Sequence, residues 1–150
     1  VTGTHGKTTT TAMLAKIRKD CGKSPTVIVG TIVPEFGSNF LHGDSDIFVV
    51  EACEYRNHFL VFNPEVLVIT NMEWDHTDFF KTFDEMKKAF DEARGKAKIV
   101  VDASRYTQES VPELQLVGEF NKMNARAAKA GGADGVSLIN TINSIMGVDV

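Results

Sequence analysis

The sequence predicts an α/β fold built on a mostly parallel sheet, and three observations lead there. Short, continuous apolar runs, I-F-V-V at 47–50 and V-L-V-I at 66–69, read as strands of a parallel sheet buried on both faces. Segments with helical periodicity alternate with them along the chain. A glycine-rich string, G-T-H-G-K-T-T at Gly3 to Thr9, stands at the turn into the first helix.

Taken in order, Lys7 to Asp20 reads as a helix, with Ala12, Met13, Ala15 and Ile17 forming an apolar side and Gly22 just past the end. Thr26 to Gly30 reads as a strand. Pro34 to Asp46 is rich in Gly, Asn, Ser and Asp and reads as loop. Ile47 to Glu51 is a strand ending in a carboxylate, and Val66 to Thr70 repeats that design and ends at Asn71. Thr82 and Glu85 have capping-box spacing, and Phe83, Met86, Phe90 and Ala93 recur on one helical face, which predicts a helix from Thr82 to Arg94. Lys98 to Asp102 is a further strand.

Composition narrows the function classes. Val, Ile, Leu and Phe supply 42 of the 150 residues, 28%, above the roughly 20% below which highly charged chains stay disordered. A chain of this size forms a core without disulfide or metal staples. No apolar run approaches the roughly 18 residues of a membrane span. The net charge of −4, with no block of like charges, argues against a nucleic-acid surface. Cys21 and Cys53 read as reduced thiols of a cytoplasmic protein, although the count allows one disulfide.

The Gly3–Thr9 string carries the G-K-T end of a Walker A motif, with Val1 where the full pattern has its first glycine. The phosphate-binding physics does not depend on that position: small-residue backbone N–H groups converge on phosphate oxygens, and the following helix adds its positive end. Gly3, Thr4, His5, Gly6, Lys7, Thr8 and Thr9 are the candidate nucleotide contacts, Lys7 reaching the terminal phosphates and the Thr8 hydroxyl holding Mg²⁺. A phosphate loop needs a strand leading into it, and only Val1 and Thr2 are here to end one, so the reading expects further chain in front.

Glu51 and the N-M-E-W-D-H segment at Asn71 to His76 both fall at the carboxyl ends of parallel strands, where open α/β sheets bind ligands. A carboxylate and an imidazole there are suited to hold a divalent cation that bridges ATP and a second substrate. Each has a plainer reading: Gly-Lys-Thr as the cap of a surface helix, Glu51 as a solvated carboxylate, His76 as a hydrogen-bonded surface group. Their convergence favours the site, with Lys7, Glu51 and His76 as catalytic candidates and Thr8, Glu51 and His76 as metal ligands.

Four segments, in order, resemble the central ATPase domain of the Mur ligases, the ATP-dependent amide-forming enzymes of peptidoglycan precursor synthesis. They are V-T-G-T-H-G-K-T-T-T-T from Val1, F-V-V-E-A-C-E-Y-R-N-H-F-L from Phe48, V-I-T-N-M-E-W-D-H-T-D-F-F from Val68, and G-E-F-N-K-M-N-A-R-A-A from Gly118. The resemblance implies a P-loop NTPase-like three-layer fold over 1–128, shortened between His76 and Asn121. It implies ATP and Mg²⁺ as cofactors, with Asn121 near the nucleotide base. The branch that joins L-alanine to UDP-N-acetylmuramate matches best, through an acyl phosphate intermediate; a ligase that reattaches recycled murein peptide, and a nucleotide-binding fragment without turnover, are the alternatives. The partners implied are those small molecules, with no nucleic acid or membrane, together with N- and C-terminal ligase domains flanking this one.

Cys53 stands where the family commonly has Asp, and Phe120 where it often has His. Residues 129–150 resemble instead a fragment of the flavin barrel of dihydroorotate and dihydropyrimidine dehydrogenases, with Asn140 and Thr141 at its Asn-Thr pair. Some twenty residues of an eight-unit barrel cannot build a flavin site. The tail reads as foreign to the ligase domain, with one extra strand expected at Val136 to Asn140.

Overall fold

The computed structural model describes residues 1–105 together with 124, 125 and 128. Asn121, the strand expected at 136–140 and the tail 129–150 lie outside them, as does the domain boundary drawn at 128/129.

Helix α1 spans Lys7–Asp20, the interval its periodicity marks. It buries Met13, Ala15 and Ile17 against Val27, Val29 and Val49. Strand β1, Thr26–Val33, runs three residues beyond the expected end. The added length has a partner: β2, Ser38–Leu41, pairs antiparallel with it. A strand therefore lies inside the segment read as loop. The turn between them is closed by the Phe36 and Gly37 amides on Val33 O, both at 3.0 Å, with Gly37 at φ 63°. Polar, glycine-containing composition marked that turn correctly and hid the short strand beside it, whose stability comes from pairing rather than from its own residues.

Strand β3, Phe48–Val50, pairs parallel with the opposite edge of β1, and β4, Val66–Ile69, pairs parallel with β5, Ile99–Asp102. The sheet order is β2-β1-β3 and β4-β5. Val1 and Thr2 lie between the two groups: Val1 N donates to Val50 O and Ala52 N to Val1 O, both at 2.8 Å, while Thr2 N donates to Val68 O at 2.8 Å and Thr70 N to Thr2 O at 2.9 Å. Two residues thus join a mixed, mostly parallel sheet. Beside Val1, where β3 and β4 have no pairing, the space forms a cavity of about 570 Å³ lined by Ile47, Phe48, Val50, Pro64 and Val66.

Burial on both faces holds for Leu67, Val68 and Ile69 of β4, all at 5% exposure or less. In β1 it alternates instead, Val27 and Val29 inside, Ile28 and Ile32 exposed.

Helix α2 spans Phe83–Lys96. Thr82 Oγ1 accepts from Glu85 N at 3.2 Å, and Glu85 Oε2 reaches back to Lys81 N at 2.8 Å, one residue before the cap. Met86, Ala89, Phe90 and Ala93 bury against Leu67, Ile69, Ala52 and Phe59. A 3-10 segment, Tyr55–Val61, supplies Phe59, whose ring lies 5.1 Å from that of Phe90. The packing of α2 and β4 sets the ends of β3 and β4 beside the glycine-rich loop.

Candidate functional site

The loop from Gly3 to Gly6 turns on positive φ at both glycines. A Cβ at Gly3 would fall on Thr70 Oγ1 and the Asn71 backbone, so only glycine lets the loop lie this close to the end of β4. The loop is anchored there by several bonds. Thr70 Oγ1 donates to His5 O and contacts Thr2 O, Asn71 Oδ1 accepts from His5 N at 2.8 Å, and Thr4 Oγ1 exchanges bonds with the Glu73 backbone at 2.9 Å in both directions. Helix α1 begins at Gly6 with no side-chain cap and no acidic residue in its first turn. Its leading N–H groups and its dipole present positive potential at the loop, the setting in which phosphate binds.

Lys7 folds over this loop. Its ammonium donates to Gly3 O at 2.6 Å and to Thr4 O at 3.2 Å, and pairs with Glu54 Oε2 at 2.9 Å. Glu54 is completely buried; its Oε1 accepts a hydrogen bond from the same ammonium at 3.2 Å and lies 3.1 Å from His76 Nε2, while Oε2 has the ion-pair contact alone. One enclosed carboxylate therefore joins the loop lysine to the histidine. A buried carboxylate is tolerated only when paired and hydrogen-bonded; Lys7 supplies the pairing, and the hydrogen bonds of Lys7 and His76 both fall on Oε1.

Thr8 and Glu51 meet separately. Thr8 Oγ1 donates to Glu51 Oε1 at 2.8 Å, and the other Glu51 oxygen accepts from Gly30 N at 2.6 Å. A Cβ on Gly30 would collide with this carboxylate, so glycine at the expected end of β1 gives Glu51 its seat. Of the metal-ligand candidates, Thr8 and Glu51 are thus in direct contact, while His76 is bonded to Glu54. A hydroxyl and a carboxylate form a hard oxygen pair of the kind that suits Mg²⁺.

The segments carrying Glu54 and His76 take unusual backbone. Arg56, Asn57 and His76 all have φ between 52° and 60°, a left-handed conformation costing non-glycine residues about 1–2 kcal/mol each. Surrounding bonds hold them. Asn57 N donates to Glu54 O at 3.0 Å, Phe79 N and Phe80 N to His76 O at 2.8 and 2.9 Å, and Tyr55 Oη to Asp78 Oδ2 at 2.6 Å. The Tyr55 and His76 rings stand 4.9 Å apart.

Sequence reasoning passed over Glu54, three residues beyond Glu51 in E-A-C-E. It also assigned no role to Asn71, which holds the loop. A signal for Glu54 was present in the two carboxylates following one strand end, but the lysine that explains it lies 47 positions away. Of the remaining nucleotide candidates, Thr9 sits in the first turn of α1 and Asn121 is outside the described residues.

Known proteins resemble the chain over the segment that carries these residues. The Mur ligase middle domain matches residues 1–93. UDP-N-acetylmuramate–L-alanine ligase of Desulfitobacterium hafniense is 51% identical over 96 residues, 64% of this chain and 21% of that protein. The ligase of the same name from Borrelia garinii is 50% identical over 91 residues, 60% of this chain and 19% of that protein. The chain therefore spans about a fifth of the length of these relatives. Among solved structures, the UDP-N-acetylmuramate–alanine ligase of Thermotoga maritima superposes with a TM-score of 0.79 at 26% identity, covering 98% of this chain and 44% of that one. A Neisseria UDP-N-acetylmuramate:L-alanyl-γ-D-glutamyl-meso-diaminopimelate ligase shares the fold, with a TM-score of 0.79 at 22% identity over 99% of this chain and 65% of that one.

Proposed function

The chain belongs to the Mur ligase family, and on that premise we propose that it is the ATP-binding core of a ligase joining L-alanine to UDP-N-acetylmuramate in peptidoglycan synthesis. The observation that carries this reading is the convergence on one loop of Lys7, the uncapped start of α1, and the Thr8–Glu51 pair. Relatives at about half identity, both named for L-alanine, favour that substrate over a murein peptide.

The implied reaction transfers the γ-phosphoryl group of ATP to the substrate carboxylate, giving an acyl phosphate and ADP. The alanine amine then displaces phosphate and forms the amide. Such a transfer asks a protein for positioning and charge neutralisation rather than for a nucleophile. Backbone N–H groups of the loop and of α1 orient the phosphates, and Lys7 exchanges its carbonyl contacts for phosphate oxygens. Thr8, Glu51 and His76 would hold Mg²⁺, whose chemistry when bound is to offset charge on the transferring group. His76 gives up its bond to Glu54 in that role, and Glu54 keeps Lys7 aimed along the loop.

The short span relative to the full-length relatives supports a second element of the reading: the 150 residues alone bind nucleotide without turnover. Cys21 and Cys53 are both free thiols, in keeping with work in the cytoplasm. No helix among the described residues is long and apolar enough to cross a membrane.

Calorimetric titration of Mg·ATP into the chain and into Lys7→Ala tests the proposal. Binding by the parent, with a loss of tenfold or more in the variant, supports it; equal affinity in both, or binding by neither, overturns it. Phosphate release on adding UDP-N-acetylmuramate and L-alanine would overturn the claim that the chain alone lacks turnover.

A further inference from the structure

Beside the oxygen pair of Thr8 and Glu51, a second group of donors differs in chemistry. Cys53 Sγ, a Glu54 carboxylate oxygen and a His76 ring nitrogen all lie within 4.8 Å of one another. We propose that Cys53, Glu54 and His76 form a binding site for a thiophilic divalent cation, Zn²⁺ being the ion its donor set fits. This inference rests on the donors alone and requires no nucleotide; it places on His76 a second ion in competition with the Mg²⁺ of the ligase reading.

One sulfur, one nitrogen and one oxygen ligand are what Zn²⁺ accepts, and three protein ligands leave a fourth position for water or a ligand atom. Mg²⁺ does not compete for this set, since a thiolate is too soft for it. Zinc–ligand distances of about 2.0–2.3 Å place tetrahedral ligands roughly 3.5 Å apart. Glu54 and His76 are already at 3.1 Å, so the remaining adjustment falls to Cys53, whose side chain is exposed and can turn inward.

The backbone that carries the three donors is held before any ion arrives. Phe59 N donates to Cys53 O at 2.9 Å and Asn57 N to Glu54 O at 3.0 Å, which fixes the backbone that carries two of them. His76 is set by its left-handed backbone and by two amides on its carbonyl. On binding, the Cys53 thiol releases its proton to solvent and the sulfur coordinates as thiolate, the His76 proton facing Glu54 Oε1 moves by way of solvent to the other ring nitrogen, and the ion takes that proton's place between Nε2 and Oε1 while Lys7 keeps its pairing with Oε2. Glu54 and His76 are then shared between this ion and the loop chemistry, so zinc binding and the pairing of Glu54 with Lys7 are coupled.

Titration of the intact chain with Co²⁺, a spectroscopic stand-in for Zn²⁺, is the test. The expected result is a thiolate-to-cobalt charge-transfer band that saturates at one equivalent, is bleached by Zn²⁺, persists in Cys21→Ser and vanishes in Cys53→Ser. His76→Ala should weaken cobalt affinity by more than about tenfold. Absence of the band in the parent, its survival in Cys53→Ser, or unchanged affinity in His76→Ala overturns the proposal. A measurement on the unmutated chain guards against misfolded variants. Zn²⁺ should slow alkylation of Cys53, read by peptide mass, while Cys21 continues to react; equal reaction at both thiols overturns the site.

Discussion

The Glu54 carboxylate, fully enclosed, lies 2.9 Å from the Lys7 ammonium across 47 residues of sequence. Removing one partner of such a pair strands the other in a medium that solvates it poorly. Lys7→Met should therefore destabilise the chain by about 3–5 kcal/mol, and Glu54→Gln, which keeps the shape and a bond to His76, by less. The double variant should recover part of the loss. Urea denaturation of the four proteins measures the coupling, and a value below about 0.5 kcal/mol would mean the pair is not acting as one unit.

Two glycine-to-alanine changes should have opposite signs. At Gly30 the new methyl meets the Glu51 carboxylate, so the seat formed by Gly30 N and Thr8 Oγ1 is lost, at a cost of about 1–3 kcal/mol. At Gly95, inside α2, a Cβ meets nothing within 4 Å, and alanine should stabilise by about 0.5–1 kcal/mol. Melting temperatures that move the same way for both would refute the assignment of Gly30 as a close-approach position.

The ion pairs along α2 give a pH dependence. The hydrogen bond from Lys87, joined by that of Arg94, holds the Asp91 carboxyl below its ordinary value of 3.8. A carboxyl depressed in this way binds fewer protons in the folded chain than in the unfolded one, so its stabilisation is present above the ordinary value and is lost as pH falls below it. Asp91→Asn should flatten this acid part of the stability curve; equal slopes for the two proteins would contradict it.

Packing beneath α2 should outweigh its cap. Phe90 is fully buried against Phe59 and β4, and Phe90→Ala should cost about 3–5 kcal/mol. Thr82→Ala removes the hydroxyl that caps Glu85 N and should cost about 1 kcal/mol. Similar losses for both in urea denaturation would contradict the greater weight given to the buried face.

What the sequence made legible was local. The bounds of α1, and the cap and buried face of α2, follow from residues within one or two turns of each other, and the structure has them at or near the expected positions. Strand β2 was hidden because Ser38–Leu41 is ordered by an edge of β1 rather than by its own composition. The loop lysine, the hydroxyl and the first carboxylate could be named from motif spacing, but their partners could not. Lys7 meets Glu54 only because α1 and the turn after β3 arrive at the same point, and Gly30 matters only because Glu51 leans across to it.

Val1 and Thr2 have a mechanical consequence. Four backbone hydrogen bonds at these two residues tie the strand group of α1 to that of α2, and the glycine-rich turn is their direct continuation. Anything that grips the turn pulls on both groups at once, so occupancy there should convert two regions that open separately into a single cooperative unit. Amide exchange at Ala52 and Thr70, on opposite sides of that two-residue hinge pin, would then slow in step.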